Sequence, residues 1–129
     1  MQQRVDQELA LLRQRYPRVE YREDGRWVCI PGYPLPEGWN RNATDGAFQI
    51  PVGYPGTPPY GICTPEGLLF KGQPPDNCTR ADPMPPFGGS WMRFSWQPEG
   101  AWHPAADAIA GSNLLNWVVG FAERFRQGK

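Results

Sequence analysis

The chain carries a single histidine, His103, and close to it stand Ser95, Glu99 and Asp107. A hydroxyl attacks a carbonyl only when a neighbouring group takes its proton, and imidazole titrates nearest to neutral pH. His103, Glu99 and Asp107 could therefore serve a serine nucleophile, with His103 the best tuned of the three. Ser90, which follows Gly88-Gly89, is a second hydroxyl in the region. Each group also has a plainer reading. A loop serine commonly satisfies its own backbone, His103 could cap a helix opened by Pro104, and Asp107 would fall in that helix's first turn, where the dipole favours a carboxylate.

Three cysteines widen the choice. Cys29 lies in an apolar strand-like run and Cys63 at a strand end, where both read as small buried hydrophobes. Cys78 lies in a polar stretch and is the thiol expected to be exposed. No Cys-x-x-Cys pairing supports a zinc site, so neither a metal nor a cofactor is expected. An odd number of widely spaced cysteines, without a signal peptide or a long apolar run, suits a reducing, cytoplasmic setting.

The elements that must position these groups follow from pattern and composition. In 129 residues, 13 basic side chains balance 13 acidic ones, so no long-range field draws the chain to nucleic acid or to an anionic membrane. Sixteen prolines and fifteen glycines would suggest disorder, were it not for six Trp, six Phe and five Tyr to build a core. Val5, Leu9, Leu12 and Tyr16 recur at helical spacing, which predicts an amphipathic helix over 2–16 ended by Pro17. Asp24-Gly25 divides Val19-Glu20-Tyr21 from Trp27-Val28-Cys29-Ile30 as a hairpin. Gly32 to Asn40 is too rich in proline for a central strand and is expected to be a structured turn. Ala47 to Ile50 and Tyr60 to Cys63 complete a four-stranded meander, with the stiff corner Tyr54-Pro55-Gly56-Thr57-Pro58-Pro59 between them.

From Thr64 to Gly89 periodicity disappears. A loop this long in a compact domain is expected to be a flap over a functional surface. Pro104 then opens a helix through Ala110, and Ser112 caps a second one in which Leu115, Val118, Val119, Ala122 and Phe125 share a face. The expectation is one α+β domain over 1–129: helix, meander, long proline-rich loop, helix or helix pair.

That order resembles the ubiquitin-conjugating (UBC-like) fold, and specific motifs carry the resemblance. The family closes a strand with Tyr-Pro-x-x-Pro-Pro, here Tyr54, Pro55, Pro58 and Pro59, and opens a helix with Trp-x-Pro, here Trp102 and Pro104. A bacterial branch, prokaryotic ubiquitin-conjugating family E, adds Leu-Pro-x-Gly-Trp-Asn, here Leu35-Pro36-Glu37-Gly38-Trp39-Asn40. It also adds Trp-x-x-x-Ser, here Trp91 to Ser95, and Trp-x-Pro-x-x-Asp, here Trp102 to Asp107. The resemblance runs from about Trp27 to the C-terminal helix.

The resemblance implies a transferase that receives a ubiquitin-like protein from a ThiF-type, adenylating activating enzyme, holds it as an ester, and passes it to an amine on a target protein. Ser95 stands near the spacing of the family's catalytic cysteine, and ester intermediates in a related branch favour it as nucleophile, with His103, Asp107 or Glu99 as base and Ser90 or Cys78 as alternatives. Trp96 and Gln97 replace the Arg and His that often follow this serine, and no His-Pro-Asn precedes it, so base and oxyanion donor must come from elsewhere. The family docks its activating enzyme on the first helix, which nominates Arg4, Gln7 and Arg13 as partner-binding residues. The resemblance further implies an operon holding an activating enzyme and a ubiquitin-like protein, and a role in defence against phage. Two other readings stay open: a non-catalytic binding module of this fold, and a small regulatory protein with a proline-rich ligand surface.

Overall fold

A computed structural model of the protein describes residues 2–97 and 102–128. Helix α1 (Gln2–Arg15) is followed by strands β1 (Glu20–Arg22), β2 (Trp27–Pro34), β3 (Ala43–Gln49), β4 (Ile62–Pro65), β5 (Cys78–Arg80) and β6 (Trp91–Phe94), and then by helices α2 (Leu114–Val119) and α3 (Phe121–Gln127). The strands form one antiparallel sheet in the order β1-β2-β3-β4-β6-β5. The fold is α+β, with helices at both ends of the chain.

Four apolar residues in succession in β2 explain the architecture, because alternate side chains of a strand point to opposite faces. Val28 and Ile30 join Phe48, Ile62 and Phe94 on the face covered by the helices; there Val5, Leu9 and Leu12 of α1 meet Leu114, Trp117, Val118, Phe121 and Phe125 of α2 and α3. Trp27 and Cys29 face the other way, with Ala47, Cys63 and Trp91, under a cover of Ala81, Met84 and Phe87. The sheet is buried on both sides.

The expected four strands are therefore six. The stretch from Thr64 to Gly89 is less a free flap than the lid of this second core: it adds β5 at the sheet edge, and its far end packs on the outer face. The expected turn at Gly32 is also corrected, since β2 runs on to Pro34. A bulge between Ile30 and Tyr33 shifts the register against β3 and takes in Pro31, while Pro34 ends the strand, and these are the places where a missing N–H does least harm. The Gly38-Trp39-Asn40 segment has structural work throughout. A Cβ on Gly38 (φ 105°) would lie 2.3 Å from the Phe70 ring; Trp39 Nε1 donates to Phe125 O at 3.0 Å; and the Asn40 amide spans Gly67 O and Leu69 N.

The helix expected from Pro104 does not form. Residues 104–112 are a closed loop in which Ser112 N donates to His103 O at 2.9 Å and His103 N donates to Ser112 Oγ at 3.0 Å. Asp107 Oδ1 accepts from Ile109 N at 2.9 Å, a local bond that competes with helix. Gly111 crosses so close to His103 that a Cβ would stand 2.5 Å from its carbonyl oxygen. The helix begins after Asn113 instead of Ser112, through a reciprocal cap between Asn113 and Asn116. Its buried face is Leu114, Trp117 and Val118, while Val119 is exposed.

Candidate active site

The two motif segments of the sequence meet in space. Trp102 Nε1 donates to Pro55 O at 2.7 Å, and the Trp102 ring lies 6.0 Å from that of Tyr54. Pro59 is buried and Pro58 lines a neighbouring cleft. Beneath this corner lies a carboxylate that sequence reasoning passed over. Glu8 is completely buried; its Oε1 accepts from the Tyr54 hydroxyl at 2.5 Å and from Leu114 N at 2.6 Å, and its Oε2 pairs with Arg4 Nε at 2.5 Å. Burial first, and then the bond to Glu8, raises the Tyr54 pKa far above the ordinary tyrosine value, so the hydroxyl stays a donor. Its place in the α1 pattern was the available signal, because position 8 lies three after Val5 on the apolar face.

Arg4 also donates to the carbonyls of Ala105 and Ala106. It is thus engaged inside the molecule, tying the loop after Pro104 to α1, whereas Gln7 and Arg13 are exposed. Beside Gln7 a cleft of about 420 Å3 runs between Ala10, Leu11 and Gln14 of α1 and Ala106 to Ile109. Ile109 is 75% exposed at its rim.

Ser95 follows the last residue of β6. Phe94 and Trp96 on either side are buried in the helix-side core, so Ser95, itself exposed, projects away from it. Its N–H donates to Asn77 O at 2.8 Å, and the carbonyl of the next residue, Trp96, accepts from Gly61 N at 2.8 Å. Among the described residues no hydrogen bond joins Ser95 to His103 or Asp107. Both are exposed in the 103–112 loop, and Glu99 lies outside the described residues. Ser90 is exposed too, with its carbonyl accepting from Glu66 N.

The cysteines separate by burial. Cys29 and Cys63 are buried on the outer sheet face, and desolvation raises their thiols to about 12 and about 11. Cys78, expected to be exposed, is half-buried in β5 opposite Phe94. Burial raises its pKa as well, with the Arg124 charge opposing. None of the three is poised as a thiolate near neutral pH. Arg124 is a second charged residue in an apolar register, buried over the Phe94 ring at 4.6 Å with Nη2 on Asp76 O. No group of metal-ligating side chains is found among the described residues, and no described helix is long and apolar enough to cross a membrane.

A family model, that of prokaryotic E2 family E, matches residues 4–119, which include the Tyr54 corner, Ser95 and Trp102. No curated protein and no solved structure matches the chain.

Proposed function

Because the chain belongs to prokaryotic E2 family E, a family of ubiquitin-conjugating-like proteins, we propose that it accepts a ubiquitin-like protein from an adenylating activating enzyme as an oxyester on Ser95 and passes it to an amine on a target protein. The observation that carries this reading is the setting of Ser95. It is an exposed hydroxyl at the end of β6, between two buried rings, with its N–H on Asn77 O and the carbonyl of the following Trp96 on Gly61 N. A nucleophile held on a rigid frame and open to solvent meets the geometric demand of acyl transfer between two large proteins. The raised thiols of Cys29, Cys63 and Cys78 favour a hydroxyl over a thiol as the acceptor.

The chemistry proceeds in two steps. Ser95 Oγ attacks the carrier's thioester carbonyl on the activating enzyme; a C–O bond forms, the serine proton goes to a base for which His103 is the best tuned, and thiolate leaves. A target amine then attacks the ester, a C–N bond forms, and Ser95 leaves with a proton returned. Gln7 and Arg13 would meet the activating enzyme on α1, next to the apolar rim of Ala10, Leu11 and Ile109. The setting is cytoplasmic, and a role in phage defence accords with the family reading.

The test is to combine the protein with its activating enzyme, carrier and ATP. An adduct stable to reductant but cleaved by hydroxide, and missing in Ser95→Ala, is the expected result. An adduct cleaved by reductant and lost in Cys78→Ser would move the nucleophile to Cys78, and one lost in Ser90→Ala would move it to Ser90. A second reading, a binding module that holds a ubiquitin-like protein without reacting, is favoured by the lack of any described hydrogen bond from Ser95 to a base; it predicts binding of the carrier with no adduct under any condition.

A further inference from the structure

Two residues before Ser95, Arg93 lies on the same side of β6. The rings of Phe94 and Trp96 enter the core, so Arg93 and Ser95 share the opposite face, with Cα atoms about 6 to 7 Å apart by strand geometry. The guanidinium is fixed in place: Nη2 donates to Tyr60 O at 3.0 Å, and the group lies 5.2 Å from the centre of the Tyr60 ring. Gly61 makes this possible. At φ 83° it tolerates no side chain cheaply, and a Cβ there would stand 2.6 Å from Arg93 Nε and 3.0 Å from Phe94 O. The bond from Gly61 N to Trp96 O lays the same two residues, Tyr60 and Gly61, alongside Ser95 and Trp96.

Arg93 is half-buried and lines a cleft of about 290 Å3 with Tyr60, Pro58, Asp82 and Trp27. Among the described residues no carboxylate comes within ion-pair distance of it. Among the described residues one of its five N–H donors is used, by Tyr60 O, and no carboxylate pairs with its charge. We infer that Arg93 is the oxyanion-stabilising group for acyl transfer at Ser95. The inference rests on Ser95 being the acceptor. When Oγ adds to the carbonyl carbon, the carbonyl electron pair moves onto oxygen; when the tetrahedral adduct collapses, the pair returns and the leaving group departs. The guanidinium takes no proton in either step, since it is charged throughout, and so differs from the groups considered as base.

Acetylation of the full chain by p-nitrophenyl acetate, followed at the peptide level by mass spectrometry, tests this without a partner protein. The expected result is preferential acetylation of Ser95, about 100-fold slower in Arg93→Met and partly restored in Arg93→Lys. Guanidinium ion added to Arg93→Ala should recover part of the rate, which a merely structural loss would not allow, and the thermal midpoint of Arg93→Lys guards against misfolding. Unchanged acetylation of Ser95 in Arg93→Met, or a slowing that guanidinium and lysine both fail to relieve, overturns the role of Arg93 and leaves Ser95 as nucleophile. Acetylation of Ser95 no faster than of other serines in the unsubstituted protein overturns the serine itself, and Arg93 with it.

Discussion

Desolvation holds the Cys63 thiol protonated up to about 11, against an ordinary value of 9.0. The unfolded chain gives up this proton at lower pH than the folded one. The stability linked to it is therefore whole below pH 9 and is lost as pH rises through the folded value of about 11. The unfolding free energy from urea denaturation should fall across that window, with about 2 to 3 kcal/mol of the loss coming from Cys63. Cys29, raised to about 12, adds its own loss above pH 9, so Cys63→Ala should lessen the fall without abolishing it, while lowering stability at neutral pH. An equally steep alkaline loss in that variant would assign the effect to other groups. The same burial predicts that iodoacetamide near about pH 8 labels Cys78 first and reaches Cys29 and Cys63 only on unfolding. At this scale Ser95 differs from the thiols in being exposed, and because a hydroxyl does not supply its own anion, its reactivity must come from neighbours such as Arg93.

Between elements, Glu8 is the joint: one carboxylate receives the Tyr54 corner, the start of α2 and Arg4, which in turn holds the loop at Ala105. Removing it leaves a buried hydroxyl, a buried amide and a guanidinium without their acceptor. Glu8→Ala should cost about 3 to 5 kcal/mol and Tyr54→Phe about 1 kcal/mol in chemical denaturation; equal losses in the two would show that the carboxylate does not organise the joint. By contrast, Gln7→Ala and Arg13→Ala should slow charging by the activating enzyme with an unchanged thermal midpoint, and unaltered charging in both would remove that face from the docking reading. Much of this level was legible in the sequence. The α1 face at Val5, Leu9 and Leu12, the hairpin at Asp24-Gly25 and the Tyr54 corner follow from local periodicity and turn chemistry, which act over a few residues. Loop 104–112 was not legible, because its helix-forming alanines yield to long-range bonds from Arg4 and to the crossing at Gly111. Glu8 and Arg124 were missed for a related reason: a charge buried by distant partners leaves only a faint mark, a polar residue in an apolar register.

Over the whole molecule, the sheet is the shared wall of two cores. Val28, Ile62 and Phe94 face the helices, while Trp27, Cys63 and Trp91 on the same strands face the segment with Met84 and Phe87. Losing either cover exposes one side of strands that the other side needs in order to pair, so the layers should not unfold separately. The site depends on both: Phe94 and Trp96, which flank Ser95, pack in the helix-side core, while Arg93 lines the outer cleft with Asp82 and Pro83. Phe125→Ala in the inner core should cost about 3 to 5 kcal/mol, and Phe87→Ala on the half-buried outer cover about 1 to 2 kcal/mol. In each variant, tryptophan fluorescence and far-ultraviolet circular dichroism should report a single coincident urea transition, displaced by these amounts. A Phe87→Ala protein whose fluorescence changed well before its helical signal would show instead that the outer cover opens independently, and that the cleft lined by Arg93 can be remodelled without unfolding the helix-side core.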